Sequence, residues 1–169
     1  GQALVGSQVG RRLQLLPSQV LSWRDFRERH PQGSVLSQET GFRRDYGRTP
    51  YPGYERPGDR PFLYDGPLDA RLPPKERVGL IRASGPAVVV PFSALRRDGV
   101  ASGSVGGRDY VVFHSRELAS PLDAETISDA RDVGGAGVFV PRAGGRPLTF
   151  TAAGDRTFRD RQTRSTWDV

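Results

Sequence analysis

The sequence predicts a mostly β fold, an antiparallel sandwich or barrel-like sheet with one or two short helices and a Pro/Tyr-rich extended arm. Three observations carry this reading. Gly (21) and Pro (14) together make about a fifth of the 169 residues, a composition hostile to long helices. Apolar residues (36%) are spread along the chain in short, Val-rich runs, which suits one domain of common size and disfavours wholesale disorder. Gly-containing turns punctuate those runs at short intervals, the pattern of antiparallel hairpins.

Taken in order, residues 1–21 read as extended, with Ala3, Leu4, Val5, Leu13, Leu15, Leu16, Val20 and Leu21 broken by Gly6, Gly10 and Pro17. Short strands are expected there. Ser22 precedes Trp23–His30 with Asp25 three residues on, a capping-box pattern, and Pro31 and Gly33 stop the helix. Trp23 and Phe26 share one face at i,i+3, so the helix is expected to dock by these aromatics. Val35-Leu36-Ser37 reads as a brief strand. From Thr40 to Pro74, seven prolines alternate with Tyr46, Tyr51, Tyr54, Phe62 and Tyr64. No helix survives such fixed φ values, and an ordered arm wrapped over the domain is favoured over a loose linker.

After Lys75 the reading becomes a series of hairpins. Arg77–Arg82 passes through Ala83-Ser84-Gly85 into Pro86–Val90, and Pro91–Arg97 can make a helical turn before Asp98-Gly99. Gly106-Gly107 leads into Asp109–His114. Val138–Arg142 turns at Ala143-Gly144-Gly145 into Arg146–Thr151, and Gly154-Asp155 turns into Thr157–Arg159. Residues 120–137 read as a short helix or a surface loop. The alternation at Ser165–Val169 reads as the start of a strand. The whole, 1–169, is expected to be a single β-rich domain and a segment of a longer protein, with 40–74 as an arm within it.

Composition also narrows function. The net charge is +6, from 24 Arg and one Lys, Lys75, against 19 acids. The Arg residues are interleaved with acids, as at Arg24, Asp25, Arg27 and Glu28, and form no single-sign stripe for phosphates, so nucleic acid is not an expected partner. With zero Cys there is no disulfide, thiolate nucleophile or Cys-ligated zinc in these residues. The longest apolar run, Ala87–Val90, falls far short of the roughly 20 residues that a helical membrane span needs.

Candidate sites are few. His114, Ser115 and Glu117 contain the types of a base, a nucleophile and an acid, but sequence neighbours on a strand face opposite ways, which argues against a triad. His30 sits where an imidazole suits a helix C-terminus. Asp123, Glu125, Asp129 and Asp132 do not follow EF-hand spacing and read as a solvated face. The Gly-Gly pairs at 106–107, 134–135 and 144–145 lack the Lys-Ser/Thr and following helix of a phosphate loop, and read as hairpin turns. No catalytic residue, metal or cofactor is therefore expected. The arm is different. Tyr46, Tyr51 and Tyr54 with Arg43, Arg44, Arg48 and Arg56 offer flat amphipathic area and planar donors, the types enriched at protein interfaces and useful for sugars or anions. They serve self-packing, a protein interface, or a small ligand or glycan.

Several strings then fall into one order: Ser22-Trp23, His30-Pro31, Val35-Leu36-Ser37, Thr40-Gly41, Arg44-Asp45-Tyr46, Pro50-Tyr51 and Leu72-Pro73-Pro74-Lys75-Glu76-Arg77-Val78. Over almost its whole length the chain resembles the bacterial and archaeal domain-of-unknown-function family numbered three-one-seven-nine. The resemblance implies a protein of two related halves, each ending in an acidic-Arg, Thr-x-Ser-x-Trp motif. Here Asp160-Arg161-Gln162-Thr163-Arg164-Ser165-Thr166-Trp167 matches the second, so the chain resembles the C-terminal half, and Gly1–Gly6 looks like the end of the first. Family members carry Cys-Pro-Leu-Cys in the first half; the comparable strand here, Tyr110–Ser115, has no Cys, so no Cys-based site carries over. The resemblance implies export and sometimes membrane tethering, and no activity. The expected function is that of a non-catalytic, extracytoplasmic (periplasmic or cell-surface) accessory or structural subunit. It would act by contact with other protein subunits in a larger assembly, membrane-bound assemblies included. The alternative is an enzyme or a small-ligand or glycan-binding protein whose site is shared with an N-terminal half.

Overall fold

The computed structural model describes residues 1–14, 20–83 and 85–169. Leu15, Leu16 and Pro17 of the expected opening strands, and Ser84 of the expected 83–85 turn, lie outside them. Among the described residues, ten strands and two α-helices follow in the order α1 (Trp23–Arg29), β1 (Val78–Arg82), β2 (Ala87–Pro91), α2 (Phe92–Asp98), β3 (Val100–Val105), β4 (Arg108–Ser115), β5 (Gly135–Phe139), β6 (Arg142–Ala143), β7 (Arg146–Pro147), β8 (Phe150–Ala152), β9 (Thr157–Asp160) and β10 (Thr166–Asp168). Every strand pair is antiparallel. The sheets are β1-β2, β3-β4-β5, β6-β7 and β10-β9-β8, and among the described residues none closes into a barrel.

Strand β4 is the centre of the molecule. Its residues Val111, Val112, Phe113 and His114 are all buried, because alternating side chains meet apolar partners on both faces. Val112 joins Val90, Phe92 and Leu95 from β2 and α2. Val111 and Phe113 join Phe158 and Val169, with Phe150 and Trp167 packed alongside. The sheet β3-β4-β5 is thus the middle of three layers, with β1-β2 and α2 on one side and β8-β9-β10 on the other. Each fully buried Val or Phe side chain contributes about 1.5–3 kcal/mol, so the centre of β4 carries much of the stability. The β3–β4 hairpin turns at Gly106 (φ 56) and Gly107 (φ 73), both in the left-handed region that this two-residue turn requires.

Helix α1 forms where expected, with the Ser22 hydroxyl accepting from the Asp25 backbone N–H at 3.2 Å. Its docking differs from expectation. Trp23 stays 59% exposed, stacked on half-buried Phe26, while the buried residue is Asp25, whose carboxylate pairs with Arg156 and does not complete the capping box. In the 1–21 stretch the described residues form a single bridge, Gln2 with Arg12, in place of strands. Val35-Leu36-Ser37 forms no strand, and Leu36 is 97% exposed: with no neighbouring edge to pair with, an apolar triplet has no reason to order as β. The expected 138–151 hairpin is divided. Its Gly144-Gly145 turn joins only β6 and β7, while residues 135–139 pair with β4 and 150–152 with β9. Within 120–137 the helical option shrinks to one 3-10 turn, Ile127–Asp129.

Candidate functional site

The arm has neither helix nor strand, and it is fastened edge-on to the loop between β4 and β5. Thr49 N–H donates to Glu125 O (2.9 Å), Gly53 N–H to Asp123 O (2.7 Å), and Ile127 N–H to Gly47 O (2.9 Å). Arg48 pairs with Glu125. Beyond this attachment three rings meet: Tyr51 and Tyr54 lie 5.8 and 5.4 Å from Phe62, the second edge-on, and 6.4 Å from each other. Tyr51 and Phe62 remain 52% and 55% exposed. The remaining sequence-picked residues are dispersed around this cluster. Tyr46 is exposed and shares a hydrogen bond with the Thr40 hydroxyl (2.9 Å), Arg43 and Arg44 are exposed, and Arg56 lies against Gly53. Phe62 belongs to the cluster although sequence reasoning left it out of the candidate set, and its place inside the Tyr/Pro run was the available signal.

Beside the rings, the middle of the arm (Tyr54, Glu55 and Pro57), residues 75–77, helix α2 and the β4–β5 loop line a cleft of about 280 Å³. Glu55 organises one wall. Its carboxylate accepts from Arg77 and from the buried Ser120 hydroxyl, and its carbonyl accepts from Arg131 Nη2 at 3.1 Å. Arg131 also pairs with Asp123 at 3.1 Å. Lys75 donates to the Tyr54 carbonyl and holds its ammonium 4.6 Å from the Tyr54 ring centroid, a cation–π contact of about 0.5–2 kcal/mol depending on desolvation. Glu76 accepts from Ser93 N–H (2.9 Å) at the start of α2, and Arg96 Nη2 reaches Val133 O at 3.3 Å. Of these residues the sequence singled out Tyr54 as an interface type, Asp123 as one of a group of acids and Lys75 as the lone lysine, but nothing in it pointed to their meeting Glu55, Glu76, Arg96 and Arg131 in one cleft.

A second, apolar groove of about 720 Å³ runs between the proline-rich part of the arm and the β1–β2 hairpin, with Tyr64, Leu68, Val78 and Val89 on its walls.

His114 lies on the α2 side of β4, 96% buried and edge-on to Phe92 at 5.8 Å. Burial holds its pKa below the ordinary value; Arg96 and Arg116 add to this, and Asp132 opposes it. Its Nε2 has no hydrogen-bond partner and faces Gly134, where a Cβ would collide with the ring. Gly134 also has φ 72, so the first Gly of this pair is needed for ring clearance and backbone shape and makes no hairpin turn. Of the four acids in 123–132, Asp123 and Glu125 pair with Arg131 and Arg48. Asp132 accepts from the backbone N–H groups of Glu117, Leu118 and Gly134, which hold its pKa low against the opposing effect of burial. Among the described residues no three His, Asp or Glu side chains converge as a metal-ligand set, and no helix is long and apolar enough to cross a membrane.

These features define a β-rich protein in which a tethered aromatic arm overhangs a charged cleft. The chain belongs to the family described as Protein of unknown function (DUF3179), whose model matches residues 1–169. No curated protein and no solved structure matches the chain.

Proposed function

We propose that the protein works by contact with other protein subunits, as a non-catalytic accessory or structural part of a larger extracytoplasmic assembly associated with a membrane. The observation that carries this reading is the ring cluster: Tyr51 and Phe62 stay more than half exposed, although the backbone beneath them is hydrogen-bonded to the β4–β5 loop. A pre-ordered aromatic surface loses little entropy on docking, and aromatic anchors dominate interface energetics. The apolar groove with Tyr64 on its wall adds concave apolar surface beside the arm. The extracytoplasmic setting rests on the export expected from the family resemblance. The test is recovery of the native assembly with tagged protein at its natural level. Truncating a buried anchor costs about 2 kcal/mol, roughly 30-fold in affinity, so Tyr51→Ala and Phe62→Ala should each deplete the co-recovered subunits while the circular dichroism spectrum is unchanged. Arg43→Ala, at the exposed rim, should deplete little. Normal assembly with both ring variants, or their unfolding, would sink the reading.

A further inference from the structure

The charges lining the 280 Å³ cleft do not balance within the chain. Arg77 is matched by Glu55 and Arg131 by Asp123. Among the described residues, Lys75 and Arg96 have no carboxylate within 4.0 Å, and Glu76 has no cation within that distance. Two cations and one carboxylate therefore share a concave wall. Their hydrogen-bonding capacity is also unspent. Lys75 uses one donor on the Tyr54 carbonyl, Arg96 uses one on the Val133 carbonyl, and Glu76 uses Oε1 on the Ser93 N–H. A half-buried Lys keeps its head group partly in water, free to take an anionic partner. Lys75 is half-buried, and among the described residues its partners are the Tyr54 carbonyl and the Tyr54 ring face.

We infer that this cleft binds a small organic carboxylate bearing a hydrogen-bond donor beside the carboxyl group, an α-amino acid or an α-hydroxy acid, with the carboxylate on Lys75 and Arg96 and the donor on Glu76. The charge pattern selects this class. A bare dianion would meet Glu76 with nothing to offer it, and a neutral sugar would leave both cations unmatched. Ligand pockets run from about 300 to 1,000 Å³ and this one falls just below that range, so it admits only a molecule of a few heavy atoms. The Tyr54 ring, held by Lys75, forms an amphipathic wall that accepts a short apolar substituent. Arg77, Glu55 and Arg131 are spent on one another and on the arm, and they fix the shape of the cleft without binding the ligand.

Titration calorimetry and amide chemical-shift mapping of the whole chain with alanine, lactate, acetate, inorganic phosphate and glucose test this. Alanine or lactate should bind in the millimolar range or better and shift amides of residues 75–77 and 93–96; whichever binds more tightly identifies the donor as ammonium or hydroxyl. Arg96→Gln, on an exposed face of α2, should weaken binding about tenfold or more, and Glu76→Gln should reduce the preference over acetate. Arg97→Gln, next along the helix and paired with Asp98, should change binding less than about twofold. Lys75→Gln alters an arm contact too, so Arg96→Gln is the deciding variant. Absence of binding by both acids at about 10 mM, equal binding to acetate, or equal effects of the Arg96 and Arg97 substitutions would overturn the assignment.

Discussion

Asp160 shows how one side chain can set the shape of the C-terminal sheet. It is 99% buried, and its two oxygens accept from Thr163 N–H (2.6 Å), Thr163 Oγ1 (2.6 Å), Ser165 N–H (3.1 Å) and Trp167 Nε1 (3.0 Å). Burial opposes its ionisation, but the bonds from Thr163, Trp167 and Ser165 win and hold its pKa far below the ordinary carboxylate range. The acidic, Thr, Ser and Trp positions of the C-terminal motif are therefore one hydrogen-bonded turn between β9 and β10. A carboxylate whose folded pKa is depressed stabilises the fold above its unfolded value, near 4, and that contribution is lost as pH falls through the folded value. Melting temperature should accordingly fall as pH drops below about 4, and Asp160→Asn, which turns an acceptor into a donor facing donors, should lower it at neutral pH and flatten the acid dependence. A neutral-pH melting temperature equal to that of the wild type would show that the turn does not need the charge. Asp69 provides the contrast. Arg71 holds its pKa down to about 2, but both side chains are open to water, and such a pair adds little to stability.

At the scale of elements, α1 has only seven residues, too few to persist without tertiary support. Its support is ionic. Asp25 meets Arg156 from the β8–β9 turn, Arg24 meets Glu117 at 3.0 Å, and Arg29 approaches Asp168 at 3.9 Å. In the first pair Asp25 is buried and Arg156 largely so, whereas the other two pairs are open to water, so they are not equal: exposed pairs are worth about 0–1 kcal/mol, and removing one partner of a buried pair costs up to about 3–5. Asp25→Ala should thus release α1, while Arg24→Ala should not. Helical signal at 222 nm together with proteolysis between residues 20 and 34 would read this out, and similar behaviour of the two variants would refute the ranking. Here the sequence showed the helix and its cap but misplaced the docking face, because an i,i+3 aromatic pair is visible locally and an Arg more than a hundred residues away is not.

Across the whole molecule, legibility followed the apolar pattern. The β1–β2 hairpin, β4 and β9 are Val- or aromatic-rich and were readable in place. Strand β3 (Val-Ala-Ser-Gly-Ser-Val) and the first half of β5 (Gly-Ala-Gly) have almost no apolar alternation, and they are strands because β4 offers them a backbone edge on either side. Gly135 and Gly137 are buried there through tertiary packing, which no local window reports. The candidate site was legible in part. Tyr51 and Tyr54 were visible as interface types, but the cleft joins Tyr54 and Glu55 to residues 75–77, 93–96 and 131–133, and such convergence exists only once the arm has folded back.

That folding back gives the molecule two tempos of assembly. The sheets pair strands that are neighbours in sequence, β3 with β4, β8 with β9 and β9 with β10 across short turns and β4 with β5 across the loop of residues 116–134, so their closures span far less chain than the arm's. The arm instead reaches Ser120 and Arg131 from Glu55 across 65 and 76 residues, and closure entropy grows with the logarithm of such a span. Local pairing is kinetically cheap and distant pairing is slow. The arm should be the last part to lock and the first to open, a latch on an already finished body. Native-state hydrogen exchange should then find the Thr49 and Gly53 amides far less protected than that of Val112, and equal protection would mean that arm and sheets unfold as one. A latch that opens below the global unfolding threshold would also uncover the cleft behind Tyr54, so entry to that cleft would be governed by the arm's own opening equilibrium and not by the stability of the sheets.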